Sequence, residues 1–175
     1  NTYALTVRKS DARDNGWQTV SDLGASADTL RAGFTAEFSE RADGYPGVRK
    51  AYGFGFAKLH DLEPSLMYQA VAKGEVDVIC AFMTDGRIAS YDLQPLTDNR
   101  GFFPPYFAAP VIRADFLQRH IEVRDVLARL AGVLDDKAMQ RLNYEVDEKG
   151  RHPDDVARDF LRTQGLLRDE SEIRR

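Results

Sequence analysis

Apolar and polar positions along the chain alternate between two periods. Tyr3-Ala4-Leu5-Thr6-Val7 alternates and is rich in strand formers, which predicts a first strand. Asp11 to Trp17 is polar and broken by Gly16, so it reads as a loop. Thr19 to Leu23 offers capping residues for a short helix, and Leu30 to Phe38 alternates enough for a second strand. Arg41 to Gly47 is a turn cluster, after which Val48 to Tyr52 makes a helix ending at Gly53, and Phe54 to Leu62 is extended. Pro64 opens the clearest helix of the first half, with Leu66, Met67, Ala70 and Val71 on one face and Gly74 as its stop.

Val76 to Phe82 follows as a central strand. Its near-continuous apolarity suits a strand covered on both faces, which makes the class α/β with a largely parallel sheet flanked by helices. The run ends in a polar turn, Thr84-Asp85-Gly86-Arg87, and an aromatic, proline-stiffened stretch, Phe102-Phe103-Pro104-Pro105-Tyr106, comes soon after. A chain builds one wall of a ligand cleft in this way.

Beyond Tyr106 the pattern turns helical. Ala108 to Ile112 is expected as one more strand, but Val123, Val126, Leu127, Leu130, Val133 and Leu134 fall on one helical stripe. Asp135-Asp136 begins another helix carrying Met139, Leu142 and Val146, and Pro153-Asp154-Asp155 opens one bearing Val156, Phe160 and Leu161. These apolar faces need a partner, because the first 104 residues already form a compact lobe. The expected organisation is therefore a ligand-binding lobe over 1–104 and a mainly helical segment over 105–175, with a charged tail after Leu167 that frays.

Composition narrows the classes. The 175 residues are 43% hydrophobic and 30% charged, ordinary for a globular protein. The formal charge of −4 and the dispersal of basic residues among acids leave no continuous positive field for a phosphate backbone, so nucleic acid is not an expected partner. No run approaches the length of a membrane span and the N-terminus lacks signal-peptide order. Asn1 leads directly into strand-like sequence, so an N-terminal portion is expected before it. Cys80, the single cysteine, allows no intrachain disulfide and reads as a small buried hydrophobe. His60, His120 and His152 are too dispersed for a metal site, and neither triad spacing nor a phosphate-cradling glycine loop is present. No metal, cofactor or enzymatic activity is expected.

The ordered set Leu66-Met67-Tyr68, Gly74-Glu75-Val76-Asp77-Val78-Ile79, Thr84-Asp85-Gly86-Arg87-Ile88, Tyr91-Asp92-Leu93, Phe102 to Tyr106, Ala109-Pro110-Val111, Leu142-Asn143-Tyr144 and Phe160-Leu161 spans nearly the whole chain. On these motifs the chain resembles the substrate-binding proteins of osmoprotectant ABC importers, the ProX and OpuC type, which take up glycine betaine, choline or carnitine. The resemblance implies a periplasmic-binding-protein-like type II fold, in which two α/β lobes close on the ligand like a clamshell and the chain crosses twice between them. It implies that this sequence begins at the first crossing, holds lobe two to about Pro104 and then returns to lobe one, most of which lies before Asn1. The implied partners are a quaternary amine and a membrane permease with its ATPase. The implied location is extracytoplasmic, periplasmic or anchored at the outer face of the plasma membrane.

The chemistry of such a ligand dictates residue types. A quaternary ammonium has no N–H to donate, so aromatic faces meet its charge best. A carboxylate on the same ligand is met by a guanidinium through parallel hydrogen bonds. By resemblance, Tyr3, Phe82 and Tyr106 occupy the cage positions and Arg41 the carboxylate-clamping one. Phe82 departs from the tyrosine that relatives often carry there. Thr84 and Asp85 are second-rank contacts, since ligand sites in open α/β sheets lie beyond the carboxyl ends of strands.

Each residue also has a plainer reading: Tyr3 as a strand residue under a helix, Phe82 as core, Arg41 as a solvated charge, and Thr84-Asp85-Gly86 as a tight turn. Tyr68, Tyr91 and Trp17 read as packing or surface aromatics. Within the same scaffold the alternative ligand is another betaine such as ergothioneine. From other classes, the alternatives are the small-molecule-sensing effector lobe of a regulator and an enzyme of the same two-lobe architecture.

Overall fold

A computed structural model describes residues 2–167. Five strands, β1 (Tyr3–Arg8), β2 (Arg31–Phe34), β3 (Lys58–Asp61), β4 (Val78–Phe82) and β5 (Leu93–Pro95), form one sheet in the order β3-β2-β4-β1-β5. β2 pairs parallel with β3 and β4, while β1 pairs antiparallel with β4 and β5. Four strands therefore point one way and β1 runs against them, so the sheet is mixed in pairing and largely parallel in direction. Consequently the carboxyl ends of β2, β3 and β4 share one sheet edge with Tyr3 at the start of β1.

Helices cover both faces. α1 (Lys9–Asn15), α2 (Ala36–Glu40), α3 (Tyr45–Tyr52), α4 (Pro64–Ala72) and α5 (Arg87–Ser90) belong to the sheet lobe. α6 (Ala114–Arg119), α7 (Glu122–Ala128), α8 (Asp136–Asp147) and α9 (Pro153–Thr163) follow. The double coverage of β4 accounts for its apolar run. Side chains alternate along a strand, so Val78 and Cys80 join a core cluster with Leu5, Val7, Phe34, Phe38 and Val48. Ile79 and Ala81 join the opposite one, with Met67, Tyr68, Val71, Ile88 and Leu93. Each of the larger side chains contributes about 1.5–3 kcal/mol when fully buried.

An ion-pair cluster pins three strands at their other end. The Asp77 carboxylate accepts from Arg31 Nε (2.9 Å), Arg31 Nη2 (2.8 Å), the Arg31 backbone N–H (2.9 Å) and Arg8 Nη2 (3.1 Å). Arg8 Nη1 also donates to the carbonyls of Val71 and Val76, both at 2.7 Å. Burial alone would raise the Asp77 pKa, but these donors outweigh it and hold the carboxyl at about 2.

Several local expectations are corrected. Lys9–Asn15 is a helix, not a loop; it buries only Ala12, so it shows no apolar period. The strand expected to reach Phe38 stops at Phe34, because Thr35 accepts a hydrogen bond from the Phe38 N–H (3.2 Å) and caps α2. α3 starts at Tyr45 rather than Val48, and ends as expected at Gly53, whose φ of 77° suits the left-handed cap. On α4 Leu66 is exposed and Tyr68 buried. Ala108 to Ile112 is irregular, with Val111 97% exposed and Phe107, just before it, 87%; Pro110 removes a ladder donor, and the segment pairs with neither sheet edge.

The C-terminal helices begin where their caps predict: Asp135 accepts from the Ala138 N–H (2.7 Å) to open α8, and Pro153 sits in the first turn of α9. The stripe from Val123 is interrupted, since α7 ends at Ala128 and Leu130 to Leu134 lie beyond it. α6 and α7 bury no residue among those described, and α8 and α9 bury one each, Ala138 and Val156. The tail expected to fray lies outside the described residues.

Candidate functional site

At the sheet edge where β2 and β4 end, a cleft of about 270 Å³ opens, walled by Tyr3, Glu37, Phe38, Glu63, Met67, Cys80 and Phe82 among others. Strand alternation builds its aromatic wall. Tyr3 and Phe82 are direct partners in the β1–β4 ladder and lie on the same face. Because they sit at the last pair of that ladder, past the packed core, Phe82 emerges 37% exposed rather than joining the interior. The two rings stack with centroids 5.0 Å apart and planes at 30°. Phe38, brought in by the Thr35 cap, lies 5.3 Å from the Tyr3 ring, and Phe103 lies 6.2 Å away.

Charge at this wall is negative. Glu37 and Glu63 line the cleft. Burial, then the nearby Glu37 carboxylate, raise the Tyr3 phenol above its ordinary value, so Tyr3 stays neutral. Arg41, at the end of α2, grips Asp43 in a fork, Nε at 2.8 Å and Nη2 at 2.6 Å, and donates through Nη1 to Glu37 at 2.8 Å. Asp43 first, then Glu37, push its pKa above the usual arginine value. An N–H on each terminal nitrogen is left to point elsewhere.

The six residues singled out from sequence divide into three groups. Tyr3 and Phe82 line the cleft together. Arg41 does not line it but bonds Glu37, which does. Tyr106, Thr84 and Asp85 are not among its lining residues. Tyr106 is 51% exposed on the irregular segment after Pro105, though Thr2 Oγ1 donates to the Pro104 carbonyl at 3.0 Å and so ties that segment to the start of β1. The Asp85 carboxylate accepts from the Arg87 backbone N–H (2.9 Å), Nε (3.0 Å) and Nη2 (2.7 Å), while the Arg87 guanidinium lies 4.1 Å over the Tyr68 ring. That arrangement is a turn clasp. Burial would raise the Asp85 carboxyl, but Arg87 more than offsets it and lowers its pKa.

Phe38, Glu37, Glu63 and Met67 were not singled out from sequence. The Thr35 cap with Glu37 in the first helical turn was the available signal for the first two. Cys80 forms part of the wall, but burial pushes its thiol well above the ordinary value, so it stays protonated and unreactive. Among the described residues no group of three or more His, Cys, Asp or Glu side chains gathers as metal ligands. An aromatic pair beside carboxylates attracts a compact organic cation.

Similar sequences and the same fold occur elsewhere. The Helicobacter pylori (strain G27) ergothioneine transport permease/ergothioneine binding protein EgtU is 37% identical over 166 residues, covering 95% of this chain and 30% of that protein. The carnitine transport binding protein OpuCC of Listeria monocytogenes is 38% identical over 162 residues, covering 92% and 53%. A crystal structure of a glycine betaine/carnitine/choline ABC transporter protein superposes with a TM-score of 0.91 at 41% identity, covering 95% of this chain and 61% of the other. The chain thus spans less than two thirds of each of these relatives. A family model described as the substrate binding domain of ABC-type glycine betaine transport system matches residues 1–163, and the chain belongs to that family, OpuAC.

Proposed function

We propose that the chain is one lobe of a solute-binding protein that captures a quaternary-ammonium compatible solute, glycine betaine, choline or carnitine, and delivers it to the membrane permease of an ABC importer. The observation that carries this reading is the stacked Tyr3–Phe82 pair opening onto a cleft edged by Glu37 and Glu63. Ring faces attract a cation that cannot donate a hydrogen bond, and the carboxylates add long-range attraction without requiring one. Residues 1–104 act as lobe two, and 105–175 return to lobe one, whose surface covers the open apolar side chains of α6 and α7. Tyr106 closes onto the ligand from the second crossing, and Thr84 and Asp85 shape the turn beside it.

Arg41 is the clamp for a ligand carboxylate, its Nη1 group exchanging Glu37 for the ligand. Closure is the mechanism: contacts from both lobes stabilise the closed state over the open one, and the permease recognises that state. No step of this needs chemistry on the ligand, and the protein works outside the cytoplasm. Among the described residues no helix is long and apolar enough to cross a membrane.

Calorimetric titration of the full-length protein with glycine betaine, choline, carnitine and ergothioneine tests the reading. At least one of the first three binds tightly. Failure of every quaternary amine to bind rejects the cage. Strong binding of ergothioneine alone, which the EgtU relative brings into the panel, replaces the solute while keeping the cage. Arg41→Ala weakens ligands with a carboxylate about tenfold and choline less than about twofold; equal losses reject the clamp.

A further inference from the structure

The strand end that carries Phe82 is gripped from outside the sheet. After Phe82, the Met83 carbonyl accepts a hydrogen bond from Gln140 Nε2 and the Thr84 carbonyl accepts one from Asn143 Nδ2 at 2.7 Å. Both donors come from α8, three residues apart, and therefore from one helix face. On the other side the Met83 N–H donates to the Thr2 carbonyl at 3.0 Å, immediately before Tyr3. α8 also lies directly on the loop: a Cβ at Gly86 would meet the Tyr144 backbone N at 2.5 Å and its Cα at 2.7 Å. Glycine is required there because the two backbones touch. Two motifs separated by more than fifty residues of sequence, Thr84-Asp85-Gly86 and Leu142-Asn143-Tyr144, are thus two halves of one contact.

We propose that Gln140 and Asn143 are positioning residues for Phe82. By holding the carbonyls one and two residues beyond it, α8 fixes the end of β4 so that the Phe82 ring stacks on Tyr3 in the cleft wall. This makes ligand affinity depend on how the C-terminal segment is docked. Neither amide touches the cleft, so the effect passes through the backbone. A cation held against aromatic faces is sensitive to where those faces sit, and a displacement of about 1 Å at a supporting shell is enough to loosen such a site.

The proposal rests on the quaternary-ammonium reading given above, and a double-mutant cycle separates the two. In the full-length protein, Asn143→Ala and Gln140→Met each weaken binding of the solute that the wild type takes, among glycine betaine, choline and carnitine, by roughly five- to tenfold. Gln140→Met keeps the side-chain length and removes the donor, so it tests the contact even where Asn143→Ala fails to fold, and thermal melts establish which variants are folded. In a Phe82→Leu background the same substitutions change affinity less than about twofold, because the ring they position is gone. Equal losses in both backgrounds overturn the positioning role and leave the functional reading intact. A wild type that binds none of the three solutes overturns the functional reading and this proposal with it.

Discussion

Ile79 in β4 and Val126 in α7 are both β-branched apolar residues on predicted apolar faces, yet Ile79 is fully buried and Val126 is 60% exposed. The same contrast holds between their regions. In the sheet lobe most apolar side chains meet another element, and two clusters fill both sides of β4. In the C-terminal region α6, α7 and the turn between them present Phe116, Ile121 and Val126 to solvent, and the two helices bury nothing among the described residues. Periodicity says which face of an element is apolar; only the rest of the fold says what covers it.

Local stability follows the covering. The largest expected effect is in amide exchange of the chain described here. Amides of β1 and β4 exchange at least about a thousandfold more slowly than those of α7, a gap of ~4 kcal/mol in opening free energy. Equal protection would erase the contrast. If the surface that α7 lacks belongs to lobe one, its protection rises in the full-length protein.

Truncation of side chains sharpens the same comparison. Leu5→Ala, in a site with no solvent access, costs about 2–5 kcal/mol of stability, whereas Val126→Ala costs less than about 0.5 kcal/mol, both read from denaturant midpoints. A large loss at Val126 would mean that α7 packs where the structure leaves it open.

The smallest effect is acid sensitivity, confined to the sheet lobe. Asp77 is held at about 2, below the ~3.9 of an unfolded chain. A depressed carboxylate contributes fully above the unfolded value, and its contribution is lost as pH falls from about 4 towards 2. Asp77→Asn removes this part of the acid transition and leaves the exchange of α7 unchanged. If the mutant and wild type lose stability identically over that window, Arg8 and Arg31 do not hold the charge as described.

The lobe was legible where burial follows from pattern alone. The apolar run of Val76 to Phe82 announced a strand covered on both faces, and Asp135 and Pro153 marked true helix starts. Legibility failed where a side chain redirected the backbone or where tertiary contact was decisive. Thr35 turns the chain into α2 and so delivers Phe38 and Glu37 to the cleft, which an alternating pattern through Phe38 conceals. β5, Leu93–Pro95, is too short to show a period and forms because β1 offers it an edge.

At the site, resemblance gave Tyr3, Phe82 and Tyr106 as cage positions without indicating that the first two stack, and Phe82 taken singly favoured core. The engagement of Arg41 with Glu37 and Asp43, and of Asp85 with Arg87, depends on rotamers that spacing does not encode.

The claim on which the functional account rests is that the Tyr3–Phe82 wall of the cleft binds a quaternary ammonium. Titration of tetramethylammonium, which has the charge and no carboxylate, into the full-length protein and into its Tyr3→Leu and Phe82→Leu variants tests it without involving Arg41. The account predicts that each variant loses roughly fivefold to thirtyfold in affinity, about 1–2 kcal/mol per face, while retaining the wild-type melting temperature within a few degrees. Unchanged affinity in both folded variants would contradict it.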